Sequence, residues 1–158
     1  MKTLGIIGGI APESTIEYYR TIIASYRIRK PDGGYPPLLI NSIDLKKLLD
    51  LAATDLTGLT AYLLEEVEKL ARAGAEFGLL ASNTPHIVFT ELEKQSPIPL
   101  LSIVECACQA AQALGLKKVG SIGIPFPDMD VRLVDGETGT QDVKPGEPGE
   151  IIMKGPLI

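Results

Sequence analysis

Short apolar runs alternate with helix-period segments along most of the chain, and that alternation limits the fold more than any other feature. The runs are KTLGIIG (Lys2–Gly8), LLINSI (Leu38–Ile43), FGLLA (Phe77–Ala81) and PLLSI (Pro99–Ile103), and KKVGSIG (Lys117–Gly123) begins a fifth. They are rich in Ile, Leu and Val without a polar alternation, as expected of strands covered on both faces. Between them lie helical patterns. PESTIEYYRTIIASYR opens with Pro12 in the first turn, and Ile16, Tyr19, Ile22 and Ile23 fall on one expected face. Asp44 stands where it can cap a short helix running through Leu51. From Leu59 to Ala73, Leu59, Leu63, Val67 and Leu70 make an apolar stripe, with Glu65–Lys69 and Glu68–Arg72 as i,i+4 ion pairs and Gly74 as a stop. Thr84 and Pro85 read as N-cap and first residue of a helix to about Lys94, and Val104–Leu114 reads as an Ala-rich helix ended by Gly115. Strand–helix repetition of this kind predicts an α/β fold: a three-layer, open, mostly parallel sheet with helices on both faces.

The pattern ends after Gly123. Gly and Pro become dense, and two short strands, Asp130–Val134 and Glu150–Lys154, flank a DGETG turn and a KPGEPGE loop. That is the grammar of a β-hairpin. We therefore expect an α/β domain over 1–119 and a short β-hairpin-rich tail over 120–158.

The 158 residues include 45% apolar and 22% charged, with no Trp, which is globular composition and enough chain to bury a core. A net charge of −5 argues against nucleic acid or an anionic membrane as a non-specific partner. No run approaches the ~20 apolar residues of a membrane span, and the N-terminal apolar run is too short for a signal peptide. The expected setting is cytoplasmic. Cys106 and Cys108, two apart on an expected helix, point to different faces and form neither a disulfide framework nor a metal site; they read as small buried helix residues.

In open parallel sheets, ligands bind beyond the carboxyl ends of the strands. Two loops qualify. GGIAPEST follows the first strand and offers Gly9, Ser14 and Thr15; ASNTPH follows the third and offers Ser82, Asn83, Thr84 and His86, the only histidine. Small hydroxyl and amide side chains beside helix N-termini suit a carboxylate or phosphate. Neither loop carries a Walker lysine or a G-x-G-x-x-G spacing, so a dinucleotide site is not expected. The same residues also serve a plainer reading, as turn glycines, a helix cap and a surface histidine.

MKTLGIIGGIAPESTIEYYR, AGAEFGLLASNTPHIVF and IPLLSI together resemble the aspartate/glutamate racemase family, over Met1 to about Val119. The resemblance implies two similar α/β domains with the active site between them, commonly as dimers, and hence a homodimer as partner. It implies racemisation of a small acidic amino acid with no pyridoxal phosphate or other cofactor, through a pair of cysteines, one from each domain. By position, Ser82 stands where the family often has its first cysteine, and is the catalytic candidate. Gly9, Ser14, Thr15, Asn83, Thr84 and His86 match substrate-loop residues. Ser42 falls in a second-strand region that often contributes a substrate contact; the usual Arg is absent nearby and Asn41 stands there. The second cysteine's GCTE-like motif is also absent. The tail, GSIGIPFPDMDVRLVDGETGTQDVKPGEPGEIIMKGP, resembles a β-rich segment of the adenylate-forming acyl-CoA synthetases, without that family's nucleotide motifs. This implies a chain of two origins: a fusion, a recombined fragment or a gene-model artefact. On that account the tail's Val131, Leu133, Ile151 and Ile152 should be poorly covered.

Overall fold

A computed structural model describes residues 1–113, 130–134, 141 and 150–154, with the side chains of 130–134 and 150–154 outside the description. The chain divides into two compact units, Met1–Leu114 and Gly115–Ile158.

In the first unit, strands β1 (Leu4–Gly8), β2 (Leu38–Ser42), β3 (Phe77–Leu80) and β4 (Leu100–Leu101) form one sheet in the order β2-β1-β3-β4. Every pairing is parallel; Ile7 stands opposite both Asn41 and Leu80. All five β1 residues are buried, as its continuous apolar sequence demands of a central strand. Successive side chains leave a strand on opposite faces, and two cores follow. Ile7 and Leu80 join the larger one with residues of helices α2 (Leu45–Thr54), α3 (Leu56–Arg72) and α4 (Phe89–Gln95). Leu4, Ile6, Leu79 and Ala81 form the other, packed by Tyr18 and Ile22 of α1 (Pro12–Arg29) and by Ile103 of α5 (Ile103–Ala113). The layers are thus α1 and α5, sheet, then α2, α3 and α4, as the alternation predicted. The expected strand Lys117–Gly123 lies outside the described residues.

Local signals hold in several places. The Asp44 carboxylate accepts from the Lys46 and Lys47 N–H groups at the start of α2. Gly74, at φ 101°, ends α3 in a conformation that favours glycine. Leu59, Leu63 and Val67 are fully buried.

Other expectations are corrected. On α1 the side that meets the sheet is Thr15, Tyr18 and Ile22; Ile16 and Tyr19, one position round the helix, are 50% and 45% exposed. Lys69 pairs with Glu66 at 2.7 Å rather than with Glu65, because buried Glu66 is also fixed by the Asn41 amide at 2.7 Å. Glu68–Arg72 forms as expected, at 3.4 Å. Thr84 caps no helix: Thr84–Val88 is a 3-10 turn, and α4 begins only at Phe89. Cys106 and Cys108 are exposed, not buried, since α5 has no buried residue along its length.

In the second unit, β5 (Asp130–Val134) and β6 (Glu150–Lys154) pair antiparallel, with Asp130 opposite Lys154 and Val134 opposite Glu150. The hairpin expected from the turn residues is present. The expectation that its apolar side chains are poorly covered falls outside the described residues.

Candidate functional site

The strand order reverses at β1, since β2 lies on one side of it and β3 on the other. The loops leaving β1 and β3 therefore diverge at the carboxyl edge of the sheet, the usual place for a ligand in this architecture. Both candidate loops leave the sheet at that edge.

The first loop is tightly built. Gly9 takes φ 83°, and a Cβ there would stand 2.9 Å from both the N and the O of Ile43 and meet the Ser42 hydroxyl. A Cβ on Gly8 would strike the Thr15 side chain, 2.5 Å from Cγ2. Thr15, 8% exposed, accepts the Gly9 N–H on Oγ1 at 3.0 Å and donates to the Ala11 carbonyl at 3.3 Å. Gly8 O accepts the Ile43 N–H at 2.9 Å, which ties the loop to the end of β2. Gly9 and Thr15 thus hold each other, and neither the Gly9 N–H nor the Thr15 hydroxyl proton is open to a ligand. At the N-terminus of α1, Pro12 has no N–H and the Thr15 N–H bonds Ala11 O. That leaves the Glu13 and Ser14 N–H groups as the donors of the helix end. Beside this loop lies an apolar depression of about 370 Å³, lined by Pro12, Ile16, Tyr19, Ile40 and Ser42 together with Gly9 and Thr15. It contains no charged side chain. A larger groove of about 620 Å³, between α3 and the 87–95 segment, touches none of the candidate residues.

The second loop begins where the Ala81 N–H bonds Ile7 O at 2.9 Å. Ser82 is half-buried, and Asn83 and Thr84 are exposed. Asn83 has helical backbone angles, φ −77° and ψ −35°, and the His86 N–H bonds its carbonyl at 2.9 Å. His86 Nδ1 lies 2.9 Å from the Ser82 carbonyl oxygen, its ring stacks on Phe89, and its Nε2 is buried with no hydrogen-bond partner. Burial holds the imidazole pKa below its ordinary value, against the opposing pull of the Ser82 carbonyl. The sequence offered His86 as a substrate-loop residue or, more plainly, a surface histidine; the neighbouring Phe89, which clamps the ring, is the signal it did not use.

Asn41 faces away from the α1 side. It donates to the Glu66 carboxylate, which Lys69 also holds. Burial alone would push the Glu66 carboxyl up, but the hydrogen bonds from Lys69 and Asn41 outweigh it and hold it low. Asn41 is therefore an anchor for α3. Of the residues after β2, Lys46 is paired with Asp50, and Lys47 lies 4.1 Å from the centre of the Tyr62 ring. Among the described residues no helix is long and apolar enough to cross a membrane, and no group of three or more His, Cys, Asp and Glu side chains could hold a metal.

The family model for Asp/Glu/hydantoin racemases matches residues 7–127, more than three quarters of the chain. The chain belongs to that family. The crystal structure of an aspartate racemase homologue from Pyrococcus horikoshii is 36% identical and superposes with a TM-score of 0.66, over 73% of this chain and 50% of that one. The broad-specificity amino-acid racemase RacX of Bacillus subtilis is 27% identical over 109 residues, 65% of this chain and 46% of RacX. This racemase-family chain thus spans about half the length of these relatives. A long-chain-fatty-acid–CoA ligase of Escherichia coli matches over 39 residues only, at 46% identity, which is 25% of this chain and 7% of the ligase. The racemase match reaches past position 119, where the sequence suggested a change of origin, to 127.

Proposed function

We propose that the chain binds a small amino acid by its α-carboxylate between the Gly9–Thr15 and Ser82–Thr84 loops, and that it serves cofactor-independent racemisation of aspartate- or glutamate-like substrates. The observation that carries this reading is the reversal of strand order at β1, which sets two loops within the family match side by side at one edge of the sheet. The Glu13 and Ser14 N–H groups and the Ser14, Asn83 and Thr84 side chains are the donors a carboxylate would meet there.

Racemisation without a cofactor removes the α-proton from one face and delivers another to the opposite face, so it needs two groups that can carry protons. A thiol, with an ordinary pKa near ~8.5, does this readily. Ser82 is an alcohol and needs a neighbouring base. His86 is the nearest imidazole in sequence, yet one ring nitrogen is bonded to the Ser82 carbonyl and the other is sealed from solvent. Cys106 and Cys108 lie on α5, in neither loop. These contacts favour a second reading beside the first: substrate binding persists while proton transfer by this chain alone is impaired.

Titration calorimetry with L-aspartate and L-glutamate, with alanine as the neutral comparison, tests binding. Wash-out of an α-deuterium, followed by proton NMR, tests chemistry. Exchange with inversion supports the racemase reading, and exchange without inversion reports a single working base. Binding without exchange supports the impaired reading. No binding of any of the three amino acids refutes both.

A further inference from the structure

Neither nitrogen of His86 is placed as a ligand contact would be. Nδ1 lies 2.9 Å from the Ser82 carbonyl oxygen. A carbonyl oxygen only accepts, so Nδ1 carries the proton in this bond. The ring lies parallel to Phe89, 4.9 Å between centroids and 1° between planes, and Phe89 belongs to the larger core. Nε2 is buried without a partner. In the other neutral tautomer, Nε2 would carry a proton with nothing to receive it, while the Nδ1 lone pair would face the carbonyl lone pairs. Both changes are unfavourable, because an unpaired buried donor is harder to accommodate than an unpaired acceptor. Geometry therefore selects the Nδ1–H form.

We propose that His86 is a positioning residue: clamped on Phe89 and protonated at Nδ1, it holds the Ser82 carbonyl and so fixes the peptide plane from which the Ser82 and Asn83 side chains depart. A trans peptide is planar, so fixing that oxygen also fixes the direction of the Asn83 N–H on the opposite side. No cis peptide interrupts the chain among the described residues. His86 itself neither touches the substrate nor moves a proton. The inference rests on reading Ser82–Thr84 as a site loop, but the bond it names is measurable whether or not a ligand binds.

Long-range proton–nitrogen NMR on the intact ¹⁵N-labelled chain at neutral pH should show a neutral imidazole protonated at Nδ1, and saturating L-aspartate should leave that pattern unchanged. An Nε2-protonated or cationic ring, or a tautomer exchanged on adding aspartate, overturns the proposal, and this measurement needs no variant. Two substitutions then separate the ring positions. His86→Asn sets an amide donor near the place of Nδ1, and His86→Gln sets one near Nε2. The Asn variant should keep the Ser82 and Asn83 amide shifts and aspartate affinity within about threefold. The Gln variant should lose those shifts and about tenfold in affinity, the scale of one lost hydrogen bond. Rescue by Gln and not by Asn overturns the assignment. If the wild-type chain binds no aspartate, the site reading fails, while the tautomer and the Ser82 and Asn83 shifts of the two variants still decide the role of His86.

Discussion

Replacing Thr15 by Val tests whether one hydroxyl holds the first loop. The substitution keeps the β-branched shape against Gly8 and removes the oxygen that accepts the Gly9 N–H at 3.0 Å. The Ala11 carbonyl loses the Thr15 hydroxyl but keeps the Thr15 N–H at 3.1 Å, so it stays satisfied. The cost is therefore that of one part-buried donor left without a partner, about 1–3 kcal/mol. Thr15→Ser keeps the hydroxyl and loses a methyl, about 1 kcal/mol. Urea denaturation measures the totals, which overlap. Hydrogen exchange at the Gly9 amide separates them, because Val should speed it by about tenfold to a hundredfold while Ser leaves it protected. A Val variant as stable as the wild type, with Gly9 still protected, would refute the claim that Thr15 builds the loop.

Gly9→Ala should destabilise by about 2–5 kcal/mol, combining ~1–2 for a left-handed backbone with ~1–3 for crowding against Ile43. Gly33→Ala, at nearly the same φ with no atom within 4 Å, should cost only the first part in the same urea titration. Glu66 titrates below its ordinary 4.5 because the Lys69 and Asn41 hydrogen bonds outweigh its burial, with Lys47 adding attraction. Its contribution to stability is thus complete above that value and is lost as pH falls through the lower, folded-state pKa. Glu66→Gln should cost about 1–3 kcal/mol at pH 7 and flatten the urea midpoint against pH below about 4.5; an unchanged acid limb would contradict the linkage.

Features set by neighbours in sequence were legible from residue order. The run Leu4–Gly8 reads as a buried strand because every residue in it suits one. Asp44 reads as a cap because its partners are two and three residues away. The hairpin strands stand where the Gly- and Pro-rich turns put them. Features decided across the fold were not. Lys69 could reach Glu65 or Glu66, and the choice falls to Asn41, 25 residues from Glu66 and on strand β2. The expected α1 face held at Ile22 but missed at Ile16 and Tyr19, because these are as apolar as the Tyr18 that meets the sheet instead. For the candidate site, residue types singled out both loops. They did not say that Thr15 and His86 turn their polar atoms inward onto the backbone, since that depends on where Gly9 and Ser82 present theirs.

Among the described residues, helix α5 is tied to the fold chiefly at its N-terminal end. Buried Ser102 accepts the Glu105 N–H on its hydroxyl and the Cys106 N–H on its carbonyl, and Ile103 reaches the core; no residue of the helix is buried. Eleven residues are too few to stay helical in water unaided. The helix therefore depends on that N-terminal anchor, and an alkylating reagent should reach both exposed thiols with the sheet still intact.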